Sequence, residues 1–488
     1  MEKNKILKCL LIFLCFLRII LPKVIYADDP ADVTQPVSVY VSNGTTEEVM
    51  YGDVTVTNDP ASETTHYGHA VNGDALKEGS TVKITTEDVA LNNNAKEAKI
   101  YQGIDASATD GATTIINAGN VTVENINGTG VSISGVELDA DFGASTVTVE
   151  TGNILVNGEA ETQIGLNIDA MSFDGKYADD ATDIDQLKGN PSVATATVGE
   201  IDAANGTGVD IDSTLKAIAT ATTEDITAKD GADIRARYGG EANLIVNGDI
   251  SAVEEGLKIN ADSRSKVDVF IDGTLSAQTP IVLGANVTAE NTTITLREIQ
   301  KNPAETQDLL RGTVSDDDPR IAEIVNYIID IEQDSDVLNL LNSDGQPLNR
   351  LHDKDVAKQG EQVVLNIIEG YRIINAYCND QLLEKDSEGR YIIEVPFGGK
   401  IQLRADFETD SSKDGGGSDD VSPAPASNES IVVRFVPPTT GIGDSHHFNT
   451  VKLCMALLDG LIISLFFTSF NTRANRKQFY NSLPDYLK

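Results

Sequence analysis

The chain has 488 residues but no tryptophan, four cysteines, five histidines and about half as many basic residues as acidic ones. Each scarcity removes a class of protein. With 37 Lys and Arg against 76 Asp and Glu, and a formal charge of -39, there is no basic surface for nucleic acid or anionic lipid to bind. The acidity favours solubility and loose cation binding, and it reads mostly as the solvated surface of an exported protein. Cys9 and Cys15 lie in a leader that export would remove, and Cys454 lies in the last apolar segment. Only Cys378 remains in the body, so no intrachain disulfide is expected and stability must come from a packed core. His66 and His69 stand three apart with no Cys or third His nearby, too little for a zinc site. Gly-x-Ser-x-Gly, phosphate-loop and EF-hand motifs are absent. Aromatic residues are 5% of the chain, which leaves the repeats without an evident platform for stacking sugar rings.

What is present is a short phrase repeated from Gly103 to Leu283. It reads GIDAS from Gly103, GVSIS from Gly130, GLNID from Gly165, GVDID from Gly208, GADIR from Gly231 and GLKIN from Gly256. A second phrase precedes most of these, as in NVTVEN from Asn120, NILVNG from Asn153 and DITAKD from Asp225, and STVTVE from Ser145 represents a third. Alternating apolar and polar residues signal strands buried on one face, and the intervening Asn, Gly and Asp supply turns. A period of roughly 25 residues is the mark of a solenoid. Three strands and three turns per unit predict one coil of a right-handed parallel β-helix over residues 37–300. Eight or nine coils at about 4.8 Å each give a rod about 40 Å long.

These phrases resemble the β-helical passenger regions of bacterial autotransporter adhesins. The resemblance covers about half the chain and bears on architecture far more than on function, because such helices also host pectate lyases and polygalacturonases. Those enzymes cluster carboxylates from neighbouring coils to bind calcium or run acid–base chemistry. In this chain coil stacking is expected to set Asp210 beside Asp233, and Asp169 beside Asp212, about 5 Å apart. That spacing suits a raised carboxylate pKa or a calcium ion; the alternative is a solvated ladder relieved by Arg235 and Lys258.

The ends carry addresses. Lys3, Lys5 and Lys8 precede an apolar run from Cys9 to Leu21, and Ile25-Tyr26-Ala27 reads as a cleavage site, so residues 1–27 are expected to be a secretory signal cut after Ala27. Residues 301–325 read as a connector or plug that caps the last coil. Residues 326–408 read as a small all-β module with a sandwich-like fold. Gly370-Tyr371, Tyr391, Pro396 and Phe407 give it a resemblance to the repeat modules of Gram-positive surface proteins, which implies a spacer. Residues 409–430, with Gly415-Gly416-Gly417 and Pro423-Ala424-Pro425, read as a flexible linker. Pro437-Pro438-Thr439-Thr440-Gly441, an apolar run from Val451 to Phe470, and Arg473, Arg476 and Lys477 follow. That order resembles a cell-wall sorting signal, in which Pro438, Thr440 and Gly441 match the pentapeptide and Pro437 replaces its leucine. The resemblance implies sortase and peptidoglycan as partners. Residues 451–470 are long enough to cross a bilayer, and the basic tail favours an external body.

The expectation is therefore an all-β, secreted, surface-attached solenoid. It would act without catalysis as an adhesin or structural rod that meets a glycan or an extracellular protein. A β-helix lyase or hydrolase acting on an acidic polysaccharide is one alternative, and a passive spacer is another.

Overall fold

The computed structural model describes residues 30–58, 68–94, 100–125, 131–172, 190–302, 318–332, 337–396 and 398–409. The expected leader ending at Ala27, the expected linker 409–430 apart from Thr409, the apolar run 451–470 and Pro438, Thr440 and Gly441 lie outside them. What is described is all-β apart from one short helix, Arg320–Ile324.

The repeats wind into a parallel β-solenoid with three faces. The first face stacks Val37–Val41, His69–Leu76, Ile100–Thr109, Ser132–Asp141, Thr162–Met171, Ile201–Thr214, Ile226–Arg237, Glu255–Ala261 and Thr279–Leu283, each paired in parallel with the next. The second face runs from Thr46–Met50 through Thr146–Glu150 to Thr292–Lys301. The third runs from Val54–Asn58 through Ile154–Gly158 to the trailing halves of Lys266–Ala277 and Thr292–Lys301.

Alternation decides what lies inside. Every second residue of a strand points inward, and pairing sets it on its counterpart one coil away. Ala106, Leu138, Ile168, Ile211, Ile234 and Ile259 form one such column, all fully buried. Each aliphatic side chain so buried contributes about 1.5–3 kcal/mol. Polar ladders fix the corners. Asn58, Asn93 and Asn125 are buried and bonded in series, with Asn58 donating to Asn93 at 3.2 Å and Asn93 to Asn125 at 2.8 Å. At the corner before the third face, Asp88 accepts the Asn120 N–H at 2.8 Å, Asn120 accepts that of Asn153 at 2.9 Å, and Asn153 accepts that of Glu200 at 3.0 Å. A side chain thus replaces a ladder bond where the backbone turns.

Two details of the repeat differ from expectation. Ile104 pairs with Val136 and Val136 with Leu166, so the repeating glycine of that coil is Gly135 and not Gly130. The reason is steric. A Cβ on Gly135 would lie 2.5 Å from the Gly165 carbonyl oxygen, and one on Gly165 would lie 2.6 Å from that of Gly208. From Gly103 to Gly256 the slot is glycine in each coil, whereas Ala70 holds it in the coil before. The period also varies. The early steps, Ile104 to Val136 to Leu166, are 32 and 30 residues, whereas Val209 to Ala232 to Leu257 are 23 and 25. In the later coils the third face runs directly into the first within one strand, with a register shift between Ala203 and Thr207.

The last coil is partly covered, and its second-face strand is continued by a further strand. Ile321 and Ile324 of the short helix are buried. Arg320, held by Asp318, donates to the carbonyls of Gly284 at 2.7 Å and Val287 at 3.1 Å. Strand Val325–Ile331 then pairs in parallel with Thr292–Lys301, so the expected boundary at residue 326 is crossed by a continuous sheet. Beyond it, Ile401–Thr409 pairs with that strand and with Tyr371–Cys378. Leu338–Asn342, Gln362–Ile367 and Tyr391–Glu394 form a separate antiparallel sheet. Tyr391 bonds across to the Ile374 carbonyl at 3.0 Å, and Tyr371 meets Phe407 edge to face at 5.8 Å.

A hairpin of Asn349–Leu351 and Lys354–Lys358 turns through His352 and Asp353, at φ 48 and 61. Its His352 ring stacks on Phe270 of the solenoid at 4.5 Å, and Lys354 pairs with Asp272 at 3.2 Å.

Gly165→Ala is expected to lower stability by about 1–3 kcal/mol through overpacking. Thr195→Ala, on the outer surface, should stay within about 0.5 kcal/mol. Urea unfolding followed by circular dichroism compares the two, and equal midpoints would contradict the proposed corner.

Candidate functional site: an acidic ladder on the first face

The outward residues of the first face form columns. One runs Asn72, Asp105, Glu137, Asn167, Asp210, Asp233 and Lys258. Its neighbour runs Asp74, Ser107, Asp139, Asp169, Asp212, Arg235 and Asn260. Stacking therefore places Asp210 opposite Asp233 and Asp169 opposite Asp212. It also brings in acids that the phrase starting at Gly130 concealed. Once Gly135 is the repeat glycine, Glu137 and Asp139 fall in the polar slots, and Asp141 follows at the strand end.

The ladder has two electrostatic halves. At the end nearer the module the acids are paired. Arg235 approaches Asp210 at 2.7 Å, Asp233 at 3.3 Å and Asp212 at 3.8 Å. Arg237 pairs with Asp212, and Lys258 with Asp233 at 3.2 Å. Toward the other end the carboxylates have mostly one another. Burial, then Glu137 and Asp74, push Asp105 up to about 6. Burial, then Glu137, Asp105, Asp141 and Asp169, push Asp139 up to about 8, so it carries its proton at neutral pH. Asp169 rises to about 6 through burial and Asp212, despite Arg237. Asp210 also rises to about 6, since burial outweighs the opposing pull of Arg235. These are the two forces that favour the neutral carboxyl, loss of water and like charge at one strand spacing.

Chemically, the arrangement offers a row of carboxyls in mixed protonation states. A calcium ion needs six to eight oxygens converging on a point. Here the side chains stand in parallel on a sheet, and among the described residues no three His, Cys, Asp or Glu side chains are grouped to hold a metal. His69 bonds to Ser38 at 3.0 Å, and burial lowers its pKa. Cys378 is a free, half-buried thiol whose pKa burial raises. The expectation of coils without useful aromatics needs correction. Tyr238 stands on a turn of the solenoid at 46% exposure, and Phe270 faces outward under the hairpin. The signal available for Tyr238 was its place just after the GADIR phrase, where each coil turns outward.

No family model, curated protein or solved structure matches the chain.

The raised carboxyls set an unusual pH dependence. Their folded pKa values lie above the unfolded value near 3.8, so in this window the folded state binds more protons. Stability from these groups is fullest below about pH 4 and is lost as pH rises through 6 to 8. Denaturation midpoints at pH 5 should therefore exceed those at pH 8, and Asp139→Asn should narrow the gap. A midpoint that rises from pH 5 to pH 8 would contradict this account.

Proposed function

We propose that the chain is a non-enzymatic surface protein, an adhesin-like or structural β-solenoid displayed on a Gram-positive envelope. The observation that supports this most is the continuous stack of coils capped by a docked β module. The solenoid's Phe270 and Asp272 are engaged by the module's His352 and Lys354, which makes rod and module one stiff unit. Such a unit suits holding a binding surface away from a wall. In this reading the rod winds right-handed, the module is a small β-sandwich acting as spacer, and the acidic face meets solvent or an extracellular partner. The leader ending at Ala27 directs export. Sortase cuts after Thr440, within Pro438-x-Thr440-Gly441, and joins the chain to peptidoglycan. Where sortase does not act, residues 451–470 hold it in the membrane. The ligand class is a glycan or an extracellular protein.

A second reading rests on Asp139. A carboxyl that keeps its proton at neutral pH, set among acids that titrate near 6, has the makings of a general acid beside a carboxylate. On that reading the first face is a lyase or hydrolase groove for an acidic polysaccharide. Turnover of acidic polysaccharides, with and without calcium, that disappears in Asp139→Asn or Asp210→Asn would favour it.

Expression of the full chain in a sortase-positive Gram-positive host tests the main reading. The chain should be released from the wall fraction by a peptidoglycan hydrolase, and Thr440→Ala should move it to the membrane fraction. Recovery of the unaltered chain from the cytoplasm would sink the proposal. Failure of displayed chain to bind any glycan or matrix protein would leave only the spacer role.

A further inference from the structure

Where the ladder's paired end meets the turns, the surface opens into a cleft of about 300 Å³ between the turn at Tyr238, the turn at Asp262 and the loop at Gly284 to Asn286. Its floor is Ala261, which is 6% exposed. We propose that this cleft binds one neutral sugar ring, stacked on Tyr238 and hydrogen-bonded by Arg237, Asn260 and Asn286. The proposal rests on the glycan-binding form of the adhesin reading and names its site and ligand class.

The cleft is built, not incidental. Tyr238 has left-handed backbone, φ 53, and its N–H donates to the Asp262 carboxylate. The same carboxylate accepts the Arg264 N–H at 2.9 Å, the Ser265 N–H at 3.0 Å and the Ser265 hydroxyl at 2.8 Å. Asp262 is thus consumed in holding the turn, and the turn holds the tyrosine ring outward. Gly284 keeps the opposite wall low: a Cβ there would meet the Asn260 Oδ1 at 2.4 Å. The glycine therefore allows the Asn260 amide its place at the rim.

The chemistry of the lining selects the ligand. An exposed aromatic face, two carboxamides and a guanidinium match a ring with apolar C–H faces and hydroxyl edges. Arg237 already pairs with Asp212, so it keeps donors to spare but brings little net charge. That pairing, and the formal charge of -39 on the whole chain, work against an anionic sugar. The volume sits at the small end of ligand sites, which fits one ring with the rest of a glycan running outward.

The test uses the purified full-length chain on a glycan array of neutral, N-acetylated and anionic saccharides, followed by titration calorimetry with the strongest ligand. A neutral saccharide should bind. Tyr238→Ala should weaken it roughly three- to tenfold, and Tyr238→Phe, which keeps the ring, should retain most of the affinity. Asn286→Ala should also weaken it, and Tyr40→Ala, in the first coil, should change nothing. Circular dichroism of each variant identifies any that fails to fold, and Asn286→Ala lies on an exposed loop where folding is least at risk. Neutral-sugar binding that neither Tyr238→Ala nor Asn286→Ala weakens would overturn the cleft and leave the adhesin reading standing. Binding of anionic saccharides alone would overturn the ligand class. Binding of no saccharide would overturn the proposal, and a chain that still bound a matrix protein would keep the broader reading.

Discussion

Parallel hydrogen bonding between successive coils holds each residue about 4.8 Å from its counterpart one turn away, and most of what distinguishes this molecule follows from that distance. Inside, it stacks Leu138, Ile168, Ile211 and Ile234 in one fully buried column. At the corner it leaves too little room for a Cβ on Gly135, Gly165 and Gly208. At the turns it allows Asp and Asn side chains to bond the next coil's amide. Each local choice is made acceptable by the coil above or below it, as expected of a fold whose stability adds up between neighbours.

The same distance works against the outer surface, because it stacks acids as faithfully as aliphatics. Two like charges this close repel by a few kcal/mol at an effective dielectric of about 20. One buried aliphatic side chain contributes about 1.5–3 kcal/mol, and each coil carries several, so the core outweighs a single repulsive pair. The structure limits the repulsion in two ways. Near the module, Arg235, Arg237 and Lys258 occupy ladder slots and pair with the acids around them. Farther away Asp139 keeps its proton, with its pKa near 8.

How much of this could be read from the chain alone depended on whether the signal was local. Strand alternation is local, and it revealed both the solenoid and the opposition of Asp210 to Asp233. The corner was not local. Gly130 and Gly135 are each followed by an alternating run, and only the clash a Cβ would make with Gly165 selects Gly135. Choosing Gly130 hid Glu137 and Asp139, the most perturbed part of the ladder. The hairpin at His352 and Asp353 escaped notice for a related reason. Asp353 is a common turn residue but His352 is not, and their left-handed conformations are held in a turn whose ring packs on Phe270, 82 residues earlier in the chain. Tyr238 was passed over because a low overall aromatic content says nothing about where a single ring stands.

These features give the rod a direction. At one end the module's hairpin covers Phe270 of the second face, while at the same end Tyr238, on a turn beside the first face, stays exposed. Along that face the charge changes from carboxyls facing carboxyls to carboxylates matched with arginine and lysine. A cationic partner would be drawn toward the unpaired half, where each bound charge also relieves repulsion. An uncharged partner relieves no repulsion there, although its hydroxyls can donate to the carboxylates. It does better at the matched end, where charges are already satisfied and Tyr238 adds apolar surface. The two halves of one face are thus suited to different chemistry, and the residue that separates them is Arg235, the point where the acidic columns first meet a positive charge.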